Sequence, residues 1–201
     1  QVMAATGRLS SDHPNLQNIP FRSAMGREIR KAFKSQNEGF IFLSADYSQV
    51  EIRLLAHFAN EEYLISAFKN GEDIHQATAA KIFSVPLDEV SPDLRSRAKA
   101  VNFGIIYGMG PQRLAQETGV SLPEAKQFMN KYFEAYPGIK QYTDKLFRLA
   151  SETGYSETIR GRRRPIPGLN DPNSAVQSRA RNMAINSPIQ GSAADLIKVA
   201  M

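Results

Sequence analysis

Ser91-Pro-Asp-Leu-Arg95-Ser-Arg-Ala-Lys99-Ala-Val-Asn-Phe103-Gly-Ile-Ile-Tyr107-Gly108 reads as one long helix. Ser91 and Pro92 are an N-cap and first-turn pair, and Gly108 with Gly110-Pro111 closes the segment. Leu94, Ala98, Val101 and Ile105 form an apolar stripe that can pack inward. Beside it, Arg95, Lys99, Phe103 and Tyr107 recur every four residues, so they lie along one face, each turned about 40° from the last. That face is cationic at its start and aromatic at its end. A nucleoside triphosphate has the same order, an anionic tail and then a flat base. The stripe therefore fits phosphates at Arg95 and Lys99 and a sugar or base near Phe103 and Tyr107. It also fits the mixed outer face of an ordinary amphipathic helix, and periodicity alone does not choose between them.

Working outward, most of the chain is helical by pattern. Thr6 to Pro20 is rich in Gly, Ser, Asn and Pro and reads as loop. Residues 39–45, Gly-Phe-Ile-Phe-Leu-Ser-Ala, are a short apolar run that suits a buried strand ending at Asp46. Ser48-Gln-Val-Glu51 is a capping-box pattern for a helix through Leu54, Leu55 and Phe58. Asp73 can cap a helix through Ile74, Ala77, Ala80 and Ile82. Ser121-Leu-Pro-Glu124 is a second capping box, for a helix that must stop by Pro137, and another helix follows over about 139–153. Residues 155–166 read as a small hairpin turning at Gly161. The tail reads as two helical segments, 174–186 and 191–201, broken at Pro188. The fold class is α+β, mostly helical, with little sheet.

Bulk properties exclude several classes. The 201 residues are 42% hydrophobic, enough for a core. There is no cysteine, which removes disulfides, thiolate metal sites and cysteine nucleophiles. No apolar run approaches the ~20 residues of a membrane span, and no signal-peptide pattern is present. Residues 140–181 hold nine basic and four acidic residues, a local excess equal to the whole chain's +5. Arg-rich stretches suit phosphate backbones, because a guanidinium can bond one phosphate through two donors.

Asp46, at the end of an apolar run, is a rim carboxylate of the kind a hard divalent cation prefers. It also fits an ordinary turn aspartate. Six segments then resolve the reading. Asp46-Tyr-Ser-Gln-Val-Glu-Ile-Arg53 resembles motif A of family A DNA polymerases, and Arg95-x3-Lys99-x3-Phe103-Gly-x2-Tyr107-Gly108 resembles their motif B. The stretch from Thr6 to Pro20, Asp73-Ile-His75, Gly161-Arg-Arg-Arg164, and Asn186 through Gln190 to Asp195 are similar to further hallmarks, in family order.

The resemblance implies a right-hand polymerase fold: residues 1–55 as part of the palm, 56–170 as fingers, and 171–201 as a return to the palm. It implies template-directed addition of deoxynucleotides to a primer 3′-hydroxyl, with primer-template DNA and deoxynucleoside triphosphates as partners and two Mg²⁺ ions as cofactors. The catalytic set would be Asp46, Lys99 and Arg95, with Asp46 and the carbonyl of Tyr47 on the metals. Gln49, Glu51, His75, Arg95, Lys99, Phe103 and Tyr107 would bind the nucleotide. Glu51 would be the gate against a ribose 2′-hydroxyl. Arg8, Asn15, Gln17, Asn18, Arg162, Arg163, Asn186 and Gln190 would bind DNA, some of them through minor-groove acceptors common to every base pair.

The sequence also departs from the family. It contains no His-Asp-Glu string, the motif that supplies the second metal aspartate, and no other Asp replaces it. Both ends look cut, so the 201 residues alone are expected to show no primer extension. Gly110-Pro111-Gln112 and Arg181-Asn182 stand where the family commonly carries residues for strand parting and a primer-side contact. A monomer in the cytoplasm of a bacterial or phage-infected cell, or in an organelle, is expected. Glu51 and Phe103 argue against a related single-subunit RNA polymerase. A nucleotide- or DNA-binding module without catalysis is the alternative from another class.

Overall fold

In the computed structural model, residues 4–20 and 23–201 are described. The chain divides into two compact units, Gln1–Ser48 and Gln49–Met201.

In the first unit, a 3-10 turn at Leu16–Asn18 is capped by Asn15, whose side chain accepts from the Gln17 amide at 3.1 Å. Helix α1 (Ala24–Lys31) starts with the Ser23 hydroxyl accepting from the Gly26 amide. Only glycine fits at 26, since a Cβ there would sit 2.3 Å from the Pro20 carbonyl oxygen. The expected buried strand at 39–45 does not form. Its residues carry no regular structure, and Ile41 and Leu43 are 87% and 89% exposed. Among the described residues, the only strands pair with each other elsewhere in the chain. An apolar run becomes a strand only when a neighbour completes its ladder, and among the described residues none pairs with this one.

The second unit is helical: α2 (Val50–Phe58), α3 (Glu62–Lys69), α4 (Ile74–Phe83), α5 (Pro92–Ile106), α6 (Pro111–Thr118), α7 (Leu122–Ala135), α8 (Pro137–Thr153) and α9 (Ser174–Ala200). Strands β1 (Tyr155–Glu157) and β2 (Arg163–Pro165) form one antiparallel hairpin, Ser156 opposite Arg164. The fold is thus the expected helix-rich α+β, 62% helical. Among the described residues no helix is long and apolar enough to cross a membrane.

Several starts follow the sequence closely. Asp73 caps α4 by accepting from the amides of His75 and Gln76. Ser91 caps α5, and Ser121 with Glu124 forms a reciprocal capping box on α7. The start of α2 is displaced by one residue from the 48–51 pattern. Gln49 takes the left-handed conformation (φ 54, ψ 35) and is itself the N-cap of α2, so Ser48 lies one residue outside the helix. Glu51, on the first turn of α2, is buried against another element. The tail also differs from expectation, since α9 runs unbroken through Pro188.

The main core joins α2 to α7 with the start of α8 and the middle of α9. Ile52, Leu55, Ile74, Val101, Ile106 and Ile189 are all 0% exposed within it. Burying each such side chain is worth about 1.5–3 kcal/mol. A second cluster, Ala150, Ile166, Leu169, Ala180 and Ala184, fills the space under the hairpin. At the end of α5, Gly108 (φ +63) turns the chain so close to α9 that a Cβ would meet Asn182 Cα at 2.8 Å.

Candidate nucleotide and nucleic-acid interface

The start of α4 and the face of α5 meet through one carboxylate. One oxygen of Asp73 accepts from the amides of His75 (2.9 Å) and Gln76 (3.1 Å). The other accepts from Arg95 Nε at 2.7 Å. Burial alone would raise the Asp73 carboxyl, but the Arg95 and backbone hydrogen bonds, with the Arg95 charge, hold it below its ordinary value. The cap of α4 thus anchors the first cation of the α5 stripe.

His75 is buried. Its Nδ1 faces the amide nitrogen of Asn102 at 3.1 Å. Asn102 also bonds Thr78 Oγ1, which reaches Tyr136 Oη at 3.2 Å. Since the amide donates, Nδ1 accepts and the ring proton sits on Nε2. Burial pushes the His75 pKa down to about 4, helped by the charges of Arg95 and Lys99 and opposed by Asp73. His75 is therefore a neutral hydrogen-bond donor beside two cations.

The stripe on α5 is realised as expected. Ala98, Val101 and Ile105 are buried, while Arg95 is half-buried and Lys99 exposed. The Phe103 and Tyr107 rings stack at 6.3 Å with 16° between planes, and His75 lies 5.9 Å from Phe103. Tyr107 Oη donates to Glu51 Oε2 at 3.2 Å. Glu51, only 7% exposed, thus lies on the first turn of α2 at the aromatic end of the stripe.

The structure brings together Glu51, His75, Arg95, Lys99, Phe103 and Tyr107, with Gln49 one residue before α2. Asn186, half-buried on α9, donates to the Ile106 carbonyl at 3.3 Å. That carbonyl is among the last four of α5, which no intrahelical amide reaches. Gln190 lies one turn further along α9. Arg8, Asn15, Gln17, Asn18, Asp46 and Tyr47 are exposed in the first unit, with the Gln17 side chain donating to the Leu9 carbonyl at 2.8 Å. Arg162 is held by Asp195 (3.0 Å) and the Gly191 carbonyl (3.0 Å). Arg163 pairs with Glu157 at 2.8 Å and lies over the Tyr155 ring.

The match of residues 1–201 to the family model for DNA polymerase family A covers the whole chain. The chain belongs to DNA polymerase family A. It is 52% identical over 201 residues to a DNA polymerase I of Borreliella burgdorferi, covering all of this chain and 22% of that protein. It is 49% identical to a DNA polymerase I of Pseudomonas aeruginosa, again over 22% of its length. A solved structure, the POL domain of Pol1 from M. smegmatis in complex with DNA primer-template and dNTP, superposes with a TM-score of 0.89 at 48% identity. That superposition covers 98% of this chain and 35% of the other.

Residues from the two expected departures from the family pattern meet in one place. Gly110, Arg181 and Asn182 line a cleft of about 250 Å³ between the end of α5, α7, α8 and α9. Sequence reasoning missed the supporting residues Thr78, Asn102 and Tyr136. Thr78 on α4 and Asn102 on α5 look like ordinary helical residues, and Tyr136 sits at the junction of α7 and α8, so only the packing of these elements makes them a network. Asp73 was read as a cap, but its bond to Arg95, 22 residues away, leaves no periodic signal.

Proposed function

We propose that this chain supplies the nucleotide-binding face and part of the DNA-binding surface of a template-directed DNA polymerase. One observation carries the reading: neutral His75, Arg95 and Lys99 lie beside a stacked Phe103–Tyr107 pair, with the buried Glu51 carboxylate at the aromatic end. Cations and a neutral donor suit a triphosphate tail, and the rings suit a sugar and base. Arg95 and His75 bind the phosphates. Lys99 holds them and passes a proton to the leaving pyrophosphate. Glu51 occupies the space a ribose 2′-hydroxyl needs, which favours deoxynucleotides. Arg8, Asn15, Gln17 and Asn18 in one unit, and Asn186 and Gln190 in the other, bind the primer-template. Arg163, whose side chain is 63% exposed, remains within reach of phosphate, whereas Arg162 already serves Asp195.

Asp46 and the Tyr47 carbonyl are oxygen donors of the type Mg²⁺ takes. They fit as ligands in a two-ion site, which would need a further carboxylate beside Asp46. Bound ions would activate the primer hydroxyl and neutralise charge on the phosphates.

The second reading is that the 201 residues bind nucleotide or DNA without catalysis. Primer extension separates the two. The chain alone is expected to give no signal above a Lys99→Ala control. Substituted for the matching region of a full-length family A polymerase, it is expected to support extension that Lys99→Ala abolishes. Failure of that chimera, correctly folded, would leave only the binding reading.

A further inference from the structure

Pro188 sits in the middle of α9, where it has no N–H to give the carbonyl of Ala184. That carbonyl is nonetheless satisfied, because Ser156 of β1 donates its hydroxyl to Ala184 O at 3.1 Å. Ser156, Ala184 and Pro188 are all buried, so no solvent substitutes for the missing amide. We propose that Ser156 is a positioning residue: its hydroxyl replaces the proline's absent amide and fixes the turn of α9 that carries Asn186 and Gln190.

The rest of the hairpin grips α9 on both sides of the proline. On the near side, Arg164 Nη1 donates to Ser187 Oγ (2.9 Å), and Ser187 donates to the Met183 carbonyl (2.6 Å). On the far side, the Ile159 amide donates to Ser192 Oγ (2.9 Å), and Arg162 bonds Asp195 and the Gly191 carbonyl (3.0 Å each). Asn186 and Gln190 lie within the span from Met183 to Asp195 that these contacts hold. Asn186 in turn holds the last turn of α5 through Ile106 O, so the staple also sets where the nucleotide helix ends. The arginine-rich hairpin is therefore a splint along α9. The consequence for DNA handling rests on the polymerase reading above; the staple itself does not.

The test is a double-mutant cycle with Ser156→Ala, Pro188→Ala and both together. Ser156→Ala leaves a buried carbonyl unpaired and should lower Tm by about 3–6 °C. Pro188→Ala restores the amide, so the double variant should recover to within about 1–2 °C of Pro188→Ala alone. In the full-length chimera, with rates normalised to burst amplitude, Ser156→Ala should raise KM for primer-template about fivefold. That is a loss of about 1 kcal/mol; kcat should stay within about twofold, and the second substitution should reverse the KM effect. No Tm loss, or additive losses in the cycle, would overturn the staple. A coupled Tm cycle with unchanged KM for DNA would overturn the positioning role. A chimera that extends no primer, with the Tm cycle intact, would instead sink the polymerase reading and leave the staple standing.

Discussion

Tyr107 Oη donates to Glu51 Oε2 at 3.2 Å, tying the C-cap of α5 to the first turn of α2. The carboxylate is buried and cannot swing aside without giving up this bond. In the chimeric polymerase, Glu51→Ala is expected to raise ribonucleotide use relative to deoxynucleotide use at least tenfold, measured as a ratio of kcat/KM values. Tyr107→Phe keeps the ring stack but removes the donor, so its effect on that ratio should be smaller, about 1 kcal/mol. An unchanged ratio in Glu51→Ala would remove the gate assignment.

Asp73 has two tasks, capping α4 and holding Arg95, and substitutions can separate them. Asp73→Asn keeps an acceptor for the His75 and Gln76 amides but loses the charge facing Arg95. Its stability should fall less than that of Asp73→Ala, which loses the cap as well, a cost of about 1 kcal/mol. Thermal unfolding ranks the two. Because the Asp73 carboxyl is held below its ordinary value, its contribution is present above the unfolded-state pKa and disappears as pH falls through the folded one.

His75 behaves in the same direction for the opposite reason. Its folded pKa is about 4 against an ordinary 6.5, so the unfolded chain takes up the proton first. Stability attributable to His75 is complete above pH 6.5 and falls as pH drops towards 4. The chain has three histidines, His13, His57 and His75, so imidazole proton resonances can follow each one. The His75 signal should titrate with a midpoint near 4; a midpoint near 6.5 would mean that the ring is neither buried nor fixed by Asn102.

Gly108 and Gly119 both have positive φ, +63 and +70, but only Gly108 faces a neighbour. Gly119→Ala should cost only the strain of the left-handed backbone, about 1–2 kcal/mol. Gly108→Ala adds a Cβ 2.8 Å from the Asn182 backbone and should cost clearly more. Equal Tm losses would mean that α5 and α9 do not approach as described.

Local signals carried far in this chain. Ser91, Asp73 and Ser121 cap the helices their spacing announces, because a cap is satisfied within three residues and needs nothing distant. The α5 stripe was legible for the same reason. Signals that depend on a partner were not. Residues 39–45 have strand composition, but among the described residues no strand pairs with them. Pro188 reads as a break until Ser156 supplies the bond it removes. Ser48 and Glu51 spell a capping box, and nothing in that local pattern announces the bond from Tyr107, 56 residues away. Arg162 pairs with Asp195 on α9 and Arg163 with Glu157 across the hairpin, and neither pairing leaves a local signal.

The central claim is that the face formed by α4 and α5 receives a nucleoside triphosphate. Single-turnover incorporation in the chimeric polymerase tests it directly, comparing the wild-type region with Lys99→Ala and Arg95→Ala across a range of dNTP concentrations. Each variant should weaken apparent dNTP affinity or slow the chemical step by at least tenfold, about 1.4 kcal/mol, while DNA affinity stays within about twofold. Unchanged nucleotide affinity and rate in both variants would contradict the account and return the stripe to an ordinary solvated helix face.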